Sequence, residues 1–251
     1  MESVKDLLKE LTNKKNIFLV DRGDTAIKLS LESLNKEKTL IQDQGGWLSY
    51  QKLPNITYLK TNYGILDLNN LRNKSDNSSV LLINSLSGYF AQQPMSKISN
   101  ICKQKSCLIV NDVSGSIGSN IAKYGDIIVG SFGKWKPINL EYGGFIATNL
   151  DLKINENFDH KHLKDLYKKI KDLPNRLKKL YKLTDKIKKD LKNHEIIYKN
   201  HKSLVVIVKF KNEQEKNIII DYCKNNNFEF TLCPRYIRVD EQAISIEVKR
   251  G

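Results

Sequence analysis

Three short apolar runs lie within residues 108–149, which read LIVNDVSGSIGSNIAKYGDIIVGSFGKWKPINLEYGGFIATN. The runs LIVN, IIVG and GGFIAT do not alternate apolar with polar residues, so they predict strands that are covered on both faces. Asp112 follows the first run, Ser131 follows the second, and Lys136 lies five residues beyond Ser131. The stretch therefore predicts a mostly parallel sheet with polar groups at the ends of its strands.

The same pattern extends upstream to residue 16. The run NIFLV at residues 16–20 predicts a strand, and a glycine turn at Arg22-Gly23-Asp24-Thr25 separates it from a helix over residues 26–34. Strand, glycine turn and helix in succession are typical of an α/β fold. Further strands are predicted at 39–42, 57–59 and 79–84, and further helices at 4–11 and 94–103.

The second half of the chain has a different organisation. Residues 151–195 are predicted to be helical, because apolar residues recur there at steps of three and four. Pro174 is expected to break this pattern or to start a second helix. Residues 203–251 predict a strand, a helix and two more strands. We therefore expect a large domain over residues 1–150, followed by a helical linker and a small α/β C-terminal domain over residues 151–251.

The net charge of the chain bears on whether it binds nucleic acid or another polyanion. The 251 residues carry 42 Lys+Arg against 28 Asp+Glu, a formal net charge of +14. Residues 160–200 hold 14 of those basic residues and 5 of the acidic ones, an excess of +9. This basic stretch has two interpretations: a face that binds nucleic acid or another polyanion, or a solvated lysine face on amphipathic helices. The second is favoured because aromatic residues are not interleaved as in single-strand binders.

Composition also excludes several kinds of protein. A hydrophobic content of 40% argues against disorder, and no run approaches the ~20 apolar residues of a membrane-spanning helix. The N-terminus lacks the apolar stretch of a secretory signal. Cys102, Cys107, Cys223 and Cys233 form no CxxC pair and do not cluster with histidines, so we expect neither a metal site nor disulfides. A cytoplasmic protein with reduced cysteines is predicted.

The strand ends suggest a cofactor. The carboxyl ends of parallel strands line the ligand crevice of an open α/β sheet, which brings Asp112, Ser131 and Lys136 toward one edge. A helix N-terminus beside a glycine turn, as at Gly23, binds phosphate because its free N–H groups point outward. A carboxylate, a lysine and a phosphate cradle at one edge suit a phosphorylated cofactor with a cationic ring.

These residues resemble the core of the DegT/DnrJ/EryC1/StrS aminotransferases, fold type I enzymes that depend on pyridoxal 5′-phosphate (PLP). The resemblance covers residues 16–150, including the glycine turn and Gly88-Tyr89, and the run DQGGWLSY at residues 43–50 is similar to an archaeal branch of the family. The elements in residues 108–149 that carry it occur in the family's order: Asp112, Gly118-Ser119, Gly125-Asp126, Ser131-Phe132, Lys136, Gly143-Gly144 and Thr148-Asn149.

The resemblance implies a PLP-dependent transferase of fold type I and a role for each site residue. Lys136 forms a Schiff base with PLP and then moves a substrate proton, while Asp112 keeps the pyridine nitrogen protonated so that the ring acts as an electron sink. Trp47 lies on the ring face. The phosphate is held by Gly23, Asp24, Thr25 and Ser131.

Each role has an alternative. Lys134 is the rival for the Schiff base, although the Ser-Phe-x-x-x-Lys spacing favours Lys136. Asp112 is alternatively a helix cap, Ser131 a cap of its own turn, and Trp47 a core or dimer-interface residue. Arg238 is the candidate for binding a substrate carboxylate, since a guanidinium binds a carboxylate through two hydrogen bonds. Arg235 and Arg250 are further candidates, and all three arginines are alternatively surface charges.

The sequence departs from the family at two positions and in length. Asp24 stands where a small or hydroxyl residue is usual, and a carboxylate repels phosphate unless it points away or caps the helix. Gly115 stands where the family often has Gln or His in contact with the ring hydroxyl, so Ser114 or Ser116 must replace that contact or it is absent. The chain is also shorter than is usual for the family.

The resemblance implies amino-group transfer between an amino acid and a keto compound, with a keto-sugar as one candidate acceptor. Alternatives are another PLP reaction, such as that of a lyase or a desulfurase, for which Cys233 is the one cysteine worth testing. A binding protein that kept the fold and contacts RNA or a protein through residues 160–200 is a further alternative. A homodimer with its sites near the interface is expected, because the resemblance implies it and twofold dimers are the commonest oligomers.

Overall fold

The structure, a computed structural model, describes residues 3–250. The strands in chain order are β1 Asn16–Val20, β2 Lys38–Gln42, β3 Ile56–Leu59, β4 Thr61–Asn62, β5 Ile65–Leu66, β6 Ser79–Asn84, β7 Leu86–Ser87, β8 Ala91–Gln92, β9 Leu108–Asp112, β10 Ile127–Ser131, β11 Gly144–Thr148, β12 Val206–Lys209, β13 Phe230–Leu232 and β14 Ala243–Ile246. The α-helices are α1 Val4–Thr12, α2 Gly23–Leu34, α3 Leu68–Lys74, α4 Met95–Gln104, α5 Leu163–Asp190 and α6 Glu213–Asn225. Short 3₁₀ helices cover Leu48–Lys52, Asn120–Lys123, His160–His162 and Val248–Arg250.

Among the described residues, seven strands form the main sheet in the order β1-β11-β10-β9-β6-β2-β3. Neighbouring strands from β10 to β3 pair in parallel, while β11 is antiparallel to both β10 and β1. The predicted α/β fold with a mostly parallel sheet is confirmed. Because six strands point the same way, their carboxyl ends meet at one edge of the sheet.

Both faces of the sheet are buried, which explains why its strands are apolar without alternation. Along β6, Leu81 and Ile83 pack with α3 and α4, whereas Val80 and Leu82 pack on the opposite face with residues of α2. All of these side chains are 1% exposed or less. The sheet thus forms the middle layer between helices and fixes the positions of its strand ends.

The segment over residues 151–159 is not helical, contrary to the prediction for 151–195. It runs along the edge strand β1, whose outer N–H groups face no other strand among residues 3–250. Glu156 Oε1 accepts from the N–H of Leu19 at 2.6 Å, and Asn157 Oδ1 accepts from the N–H of Asp21 at 3.0 Å. This segment is therefore not helical, because its side-chain acceptors form hydrogen bonds with the free N–H groups at the edge of the sheet.

Pro174 neither breaks nor starts a helix, because α5 runs continuously for 28 residues through it. Pro174 is exposed, whereas Ile170, Leu173, Leu177 and Leu180 on either side are buried. A proline in a helix interior costs about 3 kcal/mol. Burial of the apolar face of α5, which contacts α1, outweighs that cost and keeps the helix continuous.

The last part of the chain forms a three-stranded antiparallel sheet in the order β12-β14-β13, with α6 packed against β14. This matches the strand, helix, strand and strand pattern predicted from the sequence. One apolar cluster joins residues of α1 and β11 to residues of α5, β12 and β14. The domain boundary at residue 150 stays a prediction.

Within the described range, no helix is long and apolar enough to cross a membrane. No group of three or more His, Cys, Asp or Glu side chains in residues 3–250 could hold a metal ion. Cys102, Cys107, Cys223 and Cys233 are all free and buried.

Candidate active site

A cavity of about 620 Å³ opens at the carboxyl edge of the main sheet. It brings together most of the predicted site residues, which come from the ends of β2, β9 and β10 and the loops that follow them, the start of α2 and the C-terminal segment. Thr25 is not among the lining residues and lies in the first turn of α2. The predicted residues that line the cavity are Gly23, Asp24, Trp47, Asp112, Ser131, Lys136 and Arg238.

Asp112 ends β9 and is 5% exposed. Its Oδ1 accepts from the N–H of Ser114 at 2.8 Å, and its Oδ2 accepts from the hydroxyl of Tyr50 at 2.7 Å. Burial, reinforced by the charge of Asp112, raises the pKa of Tyr50 well above its ordinary value, so Tyr50 stays a donor. The carboxylate is therefore fixed in one orientation at the wall of the cavity. Its bond to Ser114 stabilises a turn over residues 114–118 and not a helix, so Asp112 is not the helix cap of the alternative reading.

The N-terminus of α2 faces the same cavity, and no side chain within residues 3–250 caps it. A Cβ atom on Gly23 would lie 2.7 Å from Cβ of Ser131, so only glycine allows the helix to start this close to the end of β10. The Ser131 hydroxyl accepts from the N–H of Gly133 at 3.1 Å. Free N–H groups beside a hydroxyl form an anion site because they carry the positive end of the helix dipole.

Asp24 points away from that anion site. Its Oδ1 accepts from the indole N–H of Trp47 at 3.1 Å and from the hydroxyl of Ser49 at 2.8 Å. The carboxylate that departs from the family pattern thus anchors the loop after β2. Trp47 is 38% exposed and forms part of the cavity wall rather than part of a core.

Lys136 lies between two aromatic rings. Its Nζ is 4.9 Å from the ring centroid of Trp47 and 4.9 Å from that of Tyr89, and it donates a hydrogen bond to the Tyr89 hydroxyl. Lys134 also lines the cavity but is exposed, with its Nζ over the ring of Trp135. The geometry therefore favours Lys136 over Lys134 as the amine that meets a ligand.

The loop that carries Lys136 has an unusual backbone. Trp135 and Glu141, which both line the cavity, have φ angles of +64° and +67°. Non-glycine residues rarely adopt this left-handed conformation. The N–H of Trp135 donates to Asn139 Oδ1 at 2.6 Å, and the N–H of Leu140 donates to the carbonyl of Phe132 at 2.9 Å. These bonds hold the loop shape that presents Lys136.

The C-terminal segment closes the cavity with a buried ion cluster. Glu247 is 2% exposed and accepts from Arg238 through both of its oxygens, with Lys249 Nζ 3.0 Å from Oε2. Burial disfavours the charged carboxylate, but the positive charges of Arg238 and Lys249 outweigh it and hold the pKa of Glu247 well below its usual range. Burial also lowers the pKa of Lys249 to about 8. Arg238 is therefore largely engaged by Glu247, whereas Arg235 lines the cavity and is exposed.

The two serines near Gly115 have different surroundings. The hydroxyl of Ser114 accepts from the N–H of Ser131 at 2.9 Å and lines the cavity, whereas Ser116 is bonded to Ser85 at 2.7 Å in the interior. A Cβ on Gly115 would lie 2.7 Å from the ring of Tyr89, so that ring fills the space where a side chain would stand. Ser114 is thus the serine with access to a ligand.

Tyr50, Tyr89 and Lys249 were not predicted from the sequence. The contacts that bring Tyr50 to Asp112 and Tyr89 to Lys136 span 62 and 47 residues. No spacing or motif in one sequence identifies such long-range pairs. The local sequence feature that points to this region is the Gly88-Tyr89 pair. In the structure Tyr89 adopts a left-handed conformation with φ +66°.

Comparisons with known proteins give one family match and several similar solved structures. A family model described as the MJ1341 family C-terminal domain matches residues 174–250. No curated protein is similar to the chain in sequence. Among solved structures, NtdA from Bacillus subtilis with bound cofactor PMP aligns with a TM-score of 0.74 at 14% identity, covering 98% of this chain and 72% of that one.

Two further structures align over nearly the whole chain. A DegT DnrJ EryC1 StrS aminotransferase from Brucella abortus has a TM-score of 0.74 at 12% identity, covering 97% of this chain and 83% of the other. A lysine-to-alanine variant of a serine palmitoyltransferase from S. paucimobilis, with a bound PLP–myriocin aldimine, has a TM-score of 0.72 at 11% identity, covering 97% of this chain and 70% of the other. The chain therefore has the fold of the PLP-dependent transferases of type I.

Proposed function

We propose that the chain is a PLP-dependent enzyme whose reactive amine is Lys136, and that it transfers an amino group between an amino acid and a keto compound. The observation that carries this proposal is the meeting of a buried carboxylate, an amine and an open helix N-terminus in one cavity of this fold. Bound PLP would supply an aldehyde that condenses with amines and a ring that accepts electrons.

The residues present fit PLP. The phosphate would lie at the N-terminus of α2, where Gly23 leaves the backbone close to Ser131 and no side chain of the described residues occupies the N–H groups. Thr25 and the N–H of Asp24 belong to the same first turn. The Asp24 carboxylate accepts from Trp47 and Ser49, so it is turned toward these donors instead of the N–H groups that would hold the phosphate.

Asp112 would hold the protonated pyridine nitrogen. Its carboxylate is buried and accepts from Tyr50 and from a backbone N–H, which supports a fixed negative charge in the wall of the cavity. Trp47 would contact the ring, because the Nζ of Lys136 already lies 4.9 Å from the centroid of its indole. Lys136 would carry the cofactor and move a proton at its Nζ.

A substrate carboxylate would bind on the C-terminal side of the cavity. Arg238 is a candidate, but it donates to both oxygens of Glu247, to Ser245 and to the carbonyl of Ile237. Arg235 is exposed on the cavity wall, so it has more donors open to a ligand. We therefore propose that Arg235 takes the carboxylate and that Arg238 shapes the wall beside it.

Amino transfer is preferred to a desulfurase reaction. Burial raises the pKa of Cys233, and a thiol that stays protonated is a poor nucleophile. The alternative of a binding protein that acts through residues 160–200 is not favoured, because it assigns no role to Lys136 in the cavity. The keto acceptor, the cytoplasmic location and the homodimer remain part of the proposal.

A half-reaction tests the proposal. The protein is reconstituted with PLP, freed of excess cofactor and mixed with single amino acids. We expect one equivalent of the matching keto acid per chain for at least one amino acid, because the amino group stays on the enzyme. Lys136→Met should release none. Equal release from this variant, or no release from any amino acid by the yellow native protein, would contradict amino transfer.

A further inference from the structure

Tyr89 lies against the candidate reactive amine. It is 6% exposed, its hydroxyl accepts a hydrogen bond from Lys136 Nζ, and the same Nζ is 4.9 Å from the centroid of its ring. The proposed function does not yet require this side chain. Its placement by several independent contacts indicates what it does.

The backbone of Tyr89 is held in a conformation that a tyrosine rarely adopts. Its φ is +66°, in the left-handed region. Its N–H donates to the carbonyl of Leu86 at 2.9 Å, and its carbonyl accepts from the N–H of Leu204 at 2.8 Å. Such conformations persist where the surroundings fix them, and they cluster at active sites.

The ring of Tyr89 is confined as well. It packs on Gly115, where a Cβ would approach within 2.7 Å. Lys249 Nζ and the guanidinium carbon of Arg238 lie 5.1 and 5.7 Å from its centroid. Both cations are held by the buried carboxylate of Glu247, so the ring cannot shift without disturbing that ion cluster.

We propose that Tyr89 is the positioning residue of Lys136, and that its hydroxyl holds the amine at the place where it meets the cofactor. A lysine side chain has four flexible methylenes, so one hydrogen bond to a rigid partner removes much of its freedom. A reacting group held in place gains rate through proximity and orientation. This inference rests on the proposed function, since it gives Lys136 the reactive role.

The test uses Tyr89→Phe, which keeps the ring and removes the hydroxyl, with Tyr222→Phe as a matched control outside the cavity. In cofactor-free protein, acetic anhydride labels lysines, and mass mapping compares Lys136 with Lys134 in the same sample. We expect Lys136 labelling to rise by about 3- to 10-fold in Tyr89→Phe, because the reagent no longer has to break the hydrogen bond. The ratio to Lys134 separates this effect from a general loosening of the chain.

The second readout is the rate at which PLP becomes covalently attached to Lys136, trapped by borohydride. We expect it to fall by about 10- to 100-fold in Tyr89→Phe, because a misplaced reacting group loses rate. Positioning thus predicts opposite changes at one amine. Unchanged rates, or two rates that fall together, would overturn it. If native protein attaches no PLP but the labelling ratio rises as expected, the proposed function fails and the positioning of Lys136 stands.

Discussion

The hydrogen bond between Tyr50 and Asp112 is the residue contact on which the cofactor site depends most. Tyr50 is fully buried, and its hydroxyl donates to the carboxylate at 2.7 Å. Tyr50→Phe should lower the free energy of unfolding by about 1.5–3 kcal/mol, the range for a hydrogen bond to a charged group. Urea unfolding measures the change.

Tyr222→Phe is the matched control for that substitution, because its hydroxyl donates to Asp190 at 2.8 Å in an exposed setting. A change within about 0.5 kcal/mol is expected for the control. Equal losses in both variants would mean that burial adds nothing to the Asp112 contact.

Lys249 predicts a pH dependence of stability. Burial lowers its pKa in the folded protein to about 8 from an ordinary 10.5. Between these values the unfolded chain binds more protons, so this group raises stability as the pH increases from 8 to 10.5, by about 3 kcal/mol at most. Unfolding curves of native protein and Lys249→Met at several pH values should diverge by this amount. A difference that stays constant with pH would contradict the shift.

At the scale of elements, the cost of the proline inside the continuous helix α5 can be tested directly. Pro174 lies in the helix interior and is exposed. Pro174→Ala should raise the free energy of unfolding by about 1–3 kcal/mol, since it restores a backbone donor and removes a steric conflict. Lys178→Ala, at an exposed position on the same helix, should change it by less than about 0.5 kcal/mol. A destabilised Pro174→Ala would mean that the helix is built around the proline.

The elements predicted best are those whose apolar runs are buried on both faces. The bounds of β1 and β6 match the predicted 16–20 and 79–84, because burial alone defines such strands. The prediction failed where tertiary contacts outweigh local pattern. Side chains of residues 151–159 form hydrogen bonds with the edge of β1. The helix α5 continues through Pro174 because burial of its apolar face outweighs the cost of the proline.

The candidate site divides in the same way. Asp112, Ser131 and Lys136 follow strand ends, so the sequence alone brings them to one edge. Which groups hold them depends on contacts between distant parts of the chain, such as Tyr89 with Lys136. The ion pair between Arg238 and Glu247 likewise depends on how the small C-terminal sheet folds, and no sequence pattern predicts it.

For the whole molecule, we expect a homodimer whose contact lies beside the cavity. Trp47 and Leu48 are 38% and 46% exposed there, and association would bury this apolar surface. The basic stretch over residues 160–200 is expected on the outside, because like charges repel across a twofold contact. Sedimentation should give twice the 28.9 kDa of the chain.

Leu48→Asp should shift the dimer toward monomer, whereas Ile218→Asp, a change at a 52% exposed position on α6, should leave it intact. A native monomer that turns over substrate would refute a site shared between subunits. Dissociation by both variants alike would place the contact elsewhere.

The central claim is that PLP joins the chain at Lys136. The most direct measurement is borohydride reduction of the PLP-loaded protein, followed by peptide mass mapping of native protein, Lys136→Met and Lys134→Met. We expect one pyridoxyl group per chain on Lys136 in native protein and in Lys134→Met, and none in Lys136→Met, because Lys136 lies between Trp47 and Tyr89 while Lys134 is exposed. A pyridoxyl group on Lys134, or none in the native protein, would contradict the account.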